Sequence, residues 1–242
     1  MDEGDLGCSS CGRRWPVRGG IPNLVFPEQL QGEEAHARDF WNRVARFWGS
    51  ICLLTNIMRG ERGSKERHEL IERLDLRPGD GVLEVAAGAG ANLKIIAERM
   101  GEQVAVFGLD LSSRMLSFAA RNLGPLPRPP HLVLGNAVFL PFADEVFSAA
   151  LDGAGIKYYS DKGRAVRELL RVVKPGGKVL IWDVGLPPGK RLTFRQRLLA
   201  LWIPGFREGP PLDAIPSGVS DLKVDWDRRE TLYTIEFRKP AS

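Results

Sequence analysis

The sequence has few of the residues on which several classes of protein depend. Its three cysteines are an odd number without regular spacing, which excludes a disulfide framework and predicts a reducing compartment. No apolar run approaches the roughly 20 residues that a membrane-spanning helix needs. The acidic start, MDEGDLG, is unlike a signal peptide. We therefore expect a soluble, cytoplasmic protein with no transmembrane segment.

The sequence also has little excess charge and few residues that could bind a metal ion. The net charge of +4 and the pI of about 9.1 allow nucleic acid or an anionic membrane as a partner, but the charges are scattered and a solvated surface explains them. Cys8 and Cys11 form one C-x-x-C-G knuckle, which could hold a metal. A structural zinc ion needs four ligands, and Cys52 and the three histidines lack ligand spacing. Bound zinc is therefore not expected.

The length of 242 residues allows one complete α/β domain with additions, but not two large domains. We divide the chain into an N-terminal segment at residues 1–30, a helical cap at residues 31–75 and a main domain at residues 76–242. In the cap, five apolar residues at helical spacing share one broad face: Phe40, Trp41, Val44, Phe47 and Trp48. That face either packs on a sheet edge or closes a substrate pocket as a lid. A break at residues 60–64 precedes a second helix.

Strands and helices alternate from residue 81, which is typical of a parallel sheet with helices on both faces. The predicted strands are residues 81–86, 104–109, 131–135, 147–152 and 177–184, and the predicted helices are residues 91–100, 112–122 and 161–173. An antiparallel hairpin, residues 219–225 and 232–237, closes the sheet edge. The expected fold is a three-layer α/β/α arrangement around a Rossmann-like, doubly wound, seven-stranded sheet in which only the last strand is antiparallel.

A glycine turn, GVLEVAAGAGAN at residues 81–92, follows the first strand of this sheet. Gly88 and Gly90 lack Cβ atoms, so they can take a positive φ and let a ligand approach the main chain. Asp110, at the end of the next strand, is placed to accept hydrogen bonds from ribose hydroxyls. The dinucleotide fingerprint needs a third glycine where this chain has Leu93, which makes a dehydrogenase a distant alternative. Glu84, before the turn, suits a cationic amino acid instead.

The turn resembles the first motif of class I S-adenosylmethionine-dependent methyltransferases, an acid followed by G-x-G-x-G, with Ala86 in place of the first glycine. The methyl group of Ala86 is tolerable if the backbone there stays in the β region. Three further segments are similar to the same family, in the same order: Gly135–Ala137, Leu140–Phe142 followed by Asp144 and Phe147, and RVVKPGG at residues 171–177. The similarity is greatest to the methyltransferases of ubiquinone and menaquinone biosynthesis. Residues 1–30 resemble the second half of a zinc ribbon, in degenerate form.

The resemblance implies an enzyme of EC 2.1.1.- that uses S-adenosyl-L-methionine, releases S-adenosyl-L-homocysteine and acts on a small, hydrophobic acceptor. Asn136 stands where the family usually has Asp, and its side-chain oxygen would accept from the exocyclic amine of adenine. The expected cofactor-binding residues are Glu84, Ala86, Gly88, Ala89, Gly90, Asp110, Leu111, Met115, Asn136, Ala137, Asp152 and Gly153. The expected substrate-binding residues are Trp41, Trp48, Tyr158, Tyr159 and Trp202. No catalytic residue is singled out; Lys157, Tyr158, Tyr159 and Asp183 are the candidates for a base.

Two other functions stay open at this point. A ribosomal or transfer RNA methyltransferase would explain the ribbon-like start and the positive charge, although residues 152–155 are not of the N-P-P-Y type associated with nucleobase amines. A regulatory protein that binds the cofactor without turnover would explain Ala86, Asn136 and Ser148.

The arginine-flanked apolar helix at residues 191–203 either packs before the last hairpin or makes peripheral contact with a membrane. The sequence leaves the oligomeric state open.

Overall fold

The computed structural model describes residues 4–30, 32–47, 61–193, 196, 197, 200 and 205–241. The helices of this part of the chain are α1 (Gly32–Val44), α2 (Glu61–Glu72), α3 (Ala91–Met100), α4 (Ser113–Leu123) and α5 (Lys162–Val172). The N-terminal strands are β1 (Gly4–Gly7), β2 (Arg14–Arg18) and β3 (Ile21–Pro22). The strands of the main sheet are β4 (Gly81–Val85), β5 (Ala105–Asp110), β6 (His131–Leu134), β7 (Phe147–Gly153), β8 (Val173–Val184), β9 (Ser220–Trp226) and β10 (Leu232–Arg238).

The main sheet has seven strands in the order β6-β5-β4-β7-β8-β10-β9. Strands β4 to β8 pair in parallel, and β10 is antiparallel to both of its neighbours, with Ile235 opposite Ile181 on β8 and Val224 on β9. Therefore only the last strand in the chain runs against the others. This confirms the predicted seven-stranded, doubly wound sheet.

Both faces of the sheet are covered, because its strands carry apolar side chains in both directions. On one face, α2, α3 and α4 pack through Ile71, Ile96 and Leu116. On the other face, α5 packs through Val166 and Leu169. The result is the expected three-layer α/β/α arrangement. Local sequence signals start the helices, since Ser112 accepts a hydrogen bond from the Met115 N–H and Asp161 accepts one from the Arg164 N–H.

Leu93 marks a difference from a dinucleotide-binding turn. Its side chain is fully buried in the first turn of α3 and fills the space that a Cβ on Gly108 of β5 would need. In the dinucleotide fingerprint the third glycine lets the helix pack closely on the strand. Here the glycine, Gly108, lies on the strand and the large residue, Leu93, lies on the helix. The helix therefore still packs closely on the strand.

Two predicted boundaries are wrong. Helix α2 begins at Glu61, inside the predicted break at residues 60–64. Strand β8 begins at Val173 rather than at residue 177, because Val173 already pairs with Phe147 before the chain turns at Gly176, where φ is +72°. The predicted helix at residues 191–203 lies mostly outside the described residues.

The N-terminal segment docks on the edge of the main sheet. Strands β1, β2 and β3 form a small antiparallel sheet. The chain then passes β6, where the Leu24 N–H donates to the Leu134 carbonyl at 2.8 Å and Asn23 forms a parallel bridge with Leu134. Residues 23 and 24 thus continue the sheet beyond its edge strand, which places the following residues beside the carboxyl end of β6.

The C-x-x-C-G knuckle forms the turn between β1 and β2. The Cys8 carbonyl accepts from the Gly12 N–H, and hydrogen bonds from the backbone of Cys11 and Ser10 lower the pKa of the Cys8 thiol. Both thiols are free. Across the described ranges, no three or more His, Cys, Asp and Glu side chains are grouped so that they could hold a metal ion. In the same ranges, no helix is both long enough and apolar enough to cross a membrane.

Candidate active site

Three acidic residues meet at one edge of the sheet. Glu84, Asp110 and Asp152 lie at the carboxyl ends of β4, β5 and β7, which are adjacent parallel strands. The strand register brings them level, because Val85 pairs with Leu109 on one side and with Asp152 on the other. Ligands of open α/β sheets bind in the crevice at this edge. The predicted cofactor acids are therefore brought together by the topology.

The turn after β4 is held by Asp110. One carboxylate oxygen accepts from the Gly88 N–H at 2.8 Å, and the other accepts from the Ser112 N–H at 2.7 Å. Gly88 has a φ of +53°, and a Cβ there would meet only the Ala86 carbonyl oxygen, at 3.9 Å. The space beside Gly88 is therefore open. Burial raises the pKa of Asp110 to about 6, while the backbone hydrogen bonds oppose the rise.

Ala86 does not adopt the conformation that would make its methyl group harmless. Its φ is +51°, in the left-handed region, whereas we expected a β-region backbone. A non-glycine residue in that region costs about 1–2 kcal/mol. The Ala86 Cβ faces Gly155, and a Cβ at residue 155 would collide with it and with the Tyr159 ring. The substitution for glycine is therefore accommodated by strain and by the absence of a side chain at Gly155.

Ala89 and Gly90 pack against helix α4. Gly90 has a φ of +77°, and a Cβ there would lie 3.1 Å from the Cβ of Ala119. The Ala89 carbonyl accepts from the Asn122 Nδ2 at 3.1 Å. The structure explains both residues by helix packing, and their contact with a cofactor stays a prediction.

Glu84 lies at the end of a series of side-chain hydrogen bonds that was not predicted from the sequence. Its Oε1 accepts from the Asn92 Nδ2 at 2.7 Å, and the Asn92 Oδ1 accepts from the Arg67 guanidinium at 2.7 Å. Its Oε2 is buried and has no hydrogen-bond partner among the described residues. Burial raises the pKa of Glu84 to about 8, against the opposing effects of Asn92 and Arg67. Gly153 lies against this carboxyl, since a Cβ at residue 153 would collide with Oε1.

Asp152 is fully buried at the end of β7. Its Oδ1 accepts from the N–H groups of Gly155 at 2.7 Å and Ile156 at 3.2 Å. Its Oδ2 and the buried hydroxyl of Tyr159 have no hydrogen-bond partner within the described part of the chain. Burial raises the pKa of Asp152 to about 7, with a contribution from Asp183 and an opposing effect of Tyr159. Burial and the neighbouring Asp152 carboxyl raise the pKa of Tyr159.

Asp183, at the end of β8, forms a buried ion pair with Lys157. The Lys157 Nζ lies 2.8 Å from Asp183 Oδ1 and donates to the Val184 carbonyl at 3.0 Å. The second oxygen, Oδ2, is buried without a hydrogen-bond partner in the described ranges. Burial raises the pKa of Asp183, although Lys157 opposes the rise.

The remaining predicted cofactor residues surround the ends of β5 and β6. Leu111 follows Asp110 and is half-buried, Met115 is buried in the first turn of α4, and Ala137 is buried after β6. Asn136 is 2% exposed, and both ends of its amide are engaged. Its Oδ1 accepts from the Val138 N–H at 2.9 Å, and its Nδ2 donates to the Gln29 carbonyl at 3.1 Å.

Helix α1 spans the mouth of the crevice. The Asn42 Oδ1 accepts from the Ser112 hydroxyl at 2.8 Å, after β5, and Glu34 accepts from the Ser160 hydroxyl, after β7. Because β4 lies between those two strands, the helix covers the end of β4. Trp41 meets Tyr158 edge-to-face with ring centroids 5.4 Å apart. The structure thus brings Trp41 and Tyr158 together at the mouth and Tyr159 deeper in the site, while Trp48 and Trp202 lie outside the described residues.

Comparison with known proteins gives the family. Residues 83–181 match the family model described as a methyltransferase domain. The chain is 31% identical over 167 residues to the demethylmenaquinone methyltransferase of Bacillus cereus (strain ATCC 10987 / NRS 248), and the match covers 69% of this chain and 68% of that protein. The chain belongs to the class I S-adenosylmethionine-dependent methyltransferases. The predicted enzyme class and cofactor are confirmed.

Solved methyltransferase structures share this fold. The phosphoethanolamine N-methyltransferase 2 of Haemonchus contortus, in complex with S-adenosyl-L-methionine, superposes with a TM-score of 0.67 at 16% identity, over 90% of this chain and 62% of that chain. A methyltransferase from Aquifex aeolicus superposes with a TM-score of 0.53 at 19% identity, over 71% and 88% of the two chains. At these identities the likeness shows the fold alone.

Three observations indicate that the residues of this methyltransferase crevice suit S-adenosylmethionine. Glu84 Oε2 and Asp152 Oδ2 are buried without a hydrogen bond within the described ranges, although the Tyr159 hydroxyl lies close to the Asp152 carboxyl, and both oxygens can accept from an ammonium group. The open space beside Gly88 permits close approach to the main chain. Asp110 stands beside that space with its carboxylate at the end of β5, where a ribose would be held. The residues present therefore match a cationic amino acid joined to a nucleoside.

A separate cavity of about 460 Å³ lies at the opposite edge of the methyltransferase sheet. It is bounded by Asp80 before β4, Ser148 on β7, the turn at residues 174–177, and the side chains of Arg77 and Arg238. Because it adjoins the amino ends of β4 and β7, it is remote from the three acids at the carboxyl ends. It is therefore distinct from the candidate active site.

Proposed function

We propose that this methyltransferase acts on a small aromatic acceptor of the quinol type, a hydroxylated ring with an apolar substituent. The observation that carries the proposal is the pairing of an aromatic lid with a buried acid: Trp41 and Tyr158 are in contact at the mouth, and the buried Asp183 is close enough to Tyr158 to contribute to its raised pKa. The Bacillus cereus relative, named a demethylmenaquinone methyltransferase, supports the same acceptor class. That similarity favours a small molecule over RNA.

The lid supplies apolar and aromatic surface for a flat acceptor. Phe40 lies 5.3 Å from Trp41, and Trp41 lies 5.4 Å from Tyr158, measured between ring centroids. Such edge-to-face contacts hold rings at defined angles. The anchoring of α1 through Asn42 and Glu34 keeps this surface over the crevice. A lid of this kind orients an aromatic acceptor and excludes water, which together are the main demands of an in-line displacement.

Asp183 is the residue that we assign as the proton acceptor. A ring carbon or hydroxyl that gains a methyl group must lose a proton, and a base with a raised pKa suits that role near neutral pH. Asp183 has one oxygen held by Lys157 and the other without a described partner, and burial raises its pKa. Burial also raises the pKa of the neighbouring Tyr158, to about 12, so its hydroxyl keeps its proton and can donate to an acceptor. When bound, S-adenosylmethionine supplies an electrophilic methyl group on a sulfonium.

The test is methyl transfer from S-adenosylmethionine labelled in the methyl group. The acceptors are a reduced, prenylated 1,4-naphthoquinol, the same naphthoquinol already methylated at the ring carbon, and unmodified transfer and ribosomal RNA. We expect label in the first acceptor and none in the second. Label in RNA alone, or cofactor binding with no acceptor labelled, would contradict the proposal. The Asp183→Asn variant should lose turnover while its affinity for S-adenosylhomocysteine stays within about twofold.

A further inference from the structure

The segment before α1 reaches the site from outside the main sheet. After bridging to Leu134 on β6, the chain makes one tight helical turn at Pro27–Gln29. The Gln29 backbone carbonyl accepts the hydrogen bond from the Asn136 Nδ2 at 3.1 Å. Gln29 and Asn136 are 107 residues apart in the chain and adjacent in space. The N-terminal segment therefore covers the crevice at its β6 end.

The side chain of Gln29 carries an unexplained oxygen. Its Oε1 is buried and has no hydrogen-bond partner among the described residues. Buried side-chain oxygens in proteins are nearly always paired, so a missing donor is the simplest account of this atom. Asn136 does not provide the donor, because its amide is engaged by the Gln29 backbone carbonyl and the Val138 N–H.

We propose that Gln29 binds the adenine ring of the cofactor, with its Oε1 accepting a hydrogen bond from the exocyclic amine. The proposal rests on the placement of the nucleoside beside Asp110 and Asn136. Glutamine and asparagine amides match the edge of adenine, which offers an amine donor beside a ring-nitrogen acceptor. The hydrogen bond from the Asn136 side chain to the Gln29 backbone carbonyl places both residues at the end of β6. The N-terminal segment thereby contributes a specificity-determining residue to the methyltransferase domain.

The chemistry of this contact makes it selective for one nucleobase. An oxygen acceptor in a buried position favours a ligand with an amine at that point and disfavours one with a carbonyl, because two acceptors cannot pair. S-inosylhomocysteine has a carbonyl in place of that amine and a hydrogen on the adjacent ring nitrogen, so the hydrogen-bonding pattern of this edge is reversed. Because the two compounds share the ribose and the amino acid, the preference for the adenosyl compound reports the contacts to this edge of the base, and its change in a Gln29 variant reports the Gln29 contact.

The experiment is calorimetric titration of the full chain with both compounds. Gln29→Leu keeps the size of the side chain and removes the acceptor, so we expect affinity for S-adenosylhomocysteine to fall about 5- to 20-fold and affinity for S-inosylhomocysteine to change less than twofold. Gln29→Glu keeps an acceptor oxygen and should retain most of the affinity for S-adenosylhomocysteine. Glu28→Gln, an exposed neighbour in the same turn, is the matched control and should bind as the wild type.

The melting temperature of the unliganded protein separates binding from folding. Removal of an unpaired buried oxygen should leave the Gln29→Leu variant at least as stable as the wild type. A merely structural role predicts the reverse, a lower melting temperature with an unchanged preference between the two compounds, and that result would overturn the proposal. Equal loss of affinity for both compounds would also overturn it.

Two variants together distinguish an error in the proposed Gln29 contact from an error in the placement of the nucleoside. If Asp110→Ala weakens S-adenosylhomocysteine binding while Gln29→Leu binds as the wild type, the placement stands and the Gln29 contact is wrong. If neither variant changes the affinity, the nucleoside lies elsewhere and both assignments are wrong.

Discussion

Glu84 and Asn92 form a buried hydrogen bond of 2.7 Å that fixes one oxygen of the carboxyl group and leaves the other without a partner among the described residues. Asn92 is held in turn by Arg67 of α2, which also lies over the Trp182 ring, 5.1 Å from its centroid. The free oxygen is therefore oriented before any ligand arrives. Such preorganisation lowers the cost of binding a cation, because no side chain has to be ordered at that moment.

Cofactor affinity should rise with pH because of Glu84, with a smaller contribution from Asp152, whose pKa is raised to about 7. The pKa of Glu84 is raised to about 8 by burial, so the unliganded carboxyl is largely protonated near neutral pH, whereas an ammonium group prefers the carboxylate. We expect the affinity for S-adenosylhomocysteine to increase between pH 6.5 and 8.5 in calorimetric titrations. Glu84→Gln should bind more weakly and with a flatter dependence on pH. A pH-independent affinity in the wild type would remove Glu84 from the cofactor contact.

The same carboxyl should destabilise the unliganded protein at higher pH. Its pKa is raised from 4.5 to about 8 on folding, so the folded state keeps a proton that the unfolded state loses. This contribution to stability is present below pH 4.5 and is lost as the pH rises through 8. Glu84→Gln should therefore gain roughly 1–3 kcal/mol over the wild type between pH 5 and pH 8.5, in urea unfolding. Glu98→Gln, a surface change on α3, should follow the wild type.

Ala86→Gly should stabilise the protein. The left-handed backbone at Ala86 costs about 1–2 kcal/mol, which exceeds the roughly 0.5–1 kcal/mol of chain entropy that glycine loses on folding. The expected gain is about 0.5–1 kcal/mol in the free energy of unfolding. Ala89→Gly, in the same turn but with a negative φ, should instead lose a similar amount. Equal destabilisation by both variants would show that the strain at Ala86 is relieved by its contact with Gly155.

Asp110→Ala should weaken S-adenosylhomocysteine binding by about 1–3 kcal/mol, because it removes a charged hydrogen-bond acceptor. Part of that loss would come from the turn, since Asp110 also holds the N–H groups of Gly88 and Ser112. Asp110→Asn keeps one acceptor oxygen and should lose less. An unchanged dissociation constant for the alanine variant would place the ribose elsewhere.

Trp41→Ala should raise the KM for the acceptor several-fold and leave the affinity for S-adenosylhomocysteine within about twofold. The ring contacts Phe40 and Tyr158 at the mouth, so its loss opens the acceptor side and not the glycine turn. Phe47→Ala removes a largely exposed aromatic residue from the same region and is the matched control. A lower cofactor affinity in Trp41→Ala, with an unchanged KM, would place the acceptor away from α1.

Local features of this protein could be predicted from the sequence by itself, because their causes lie within a few residues. The apolar runs of the parallel strands, the Ser112 helix cap and the glycine turn before α3 depend on neighbouring residues, and the structure has each of them. The meeting of Glu84, Asp110 and Asp152 also followed, because parallel strands bring their carboxyl ends to one edge.

Only the tertiary structure decided which polar groups pair. Arg67 lies 25 residues from Asn92, and Gln29 lies 107 residues from Asn136, so neither contact has a local pattern. The predicted backbone conformation of Ala86 was also wrong, because the turn is held by the carboxylate of Asp110, which is distant in the chain, and not by the residues of the turn itself. Hydrophobic periodicity and motif spacing predicted the strands of the sheet and the edge at which we expect the cofactor to bind. The partners of buried side chains depend on how α1, α2 and the N-terminal segment pack across that edge, which chain order does not encode.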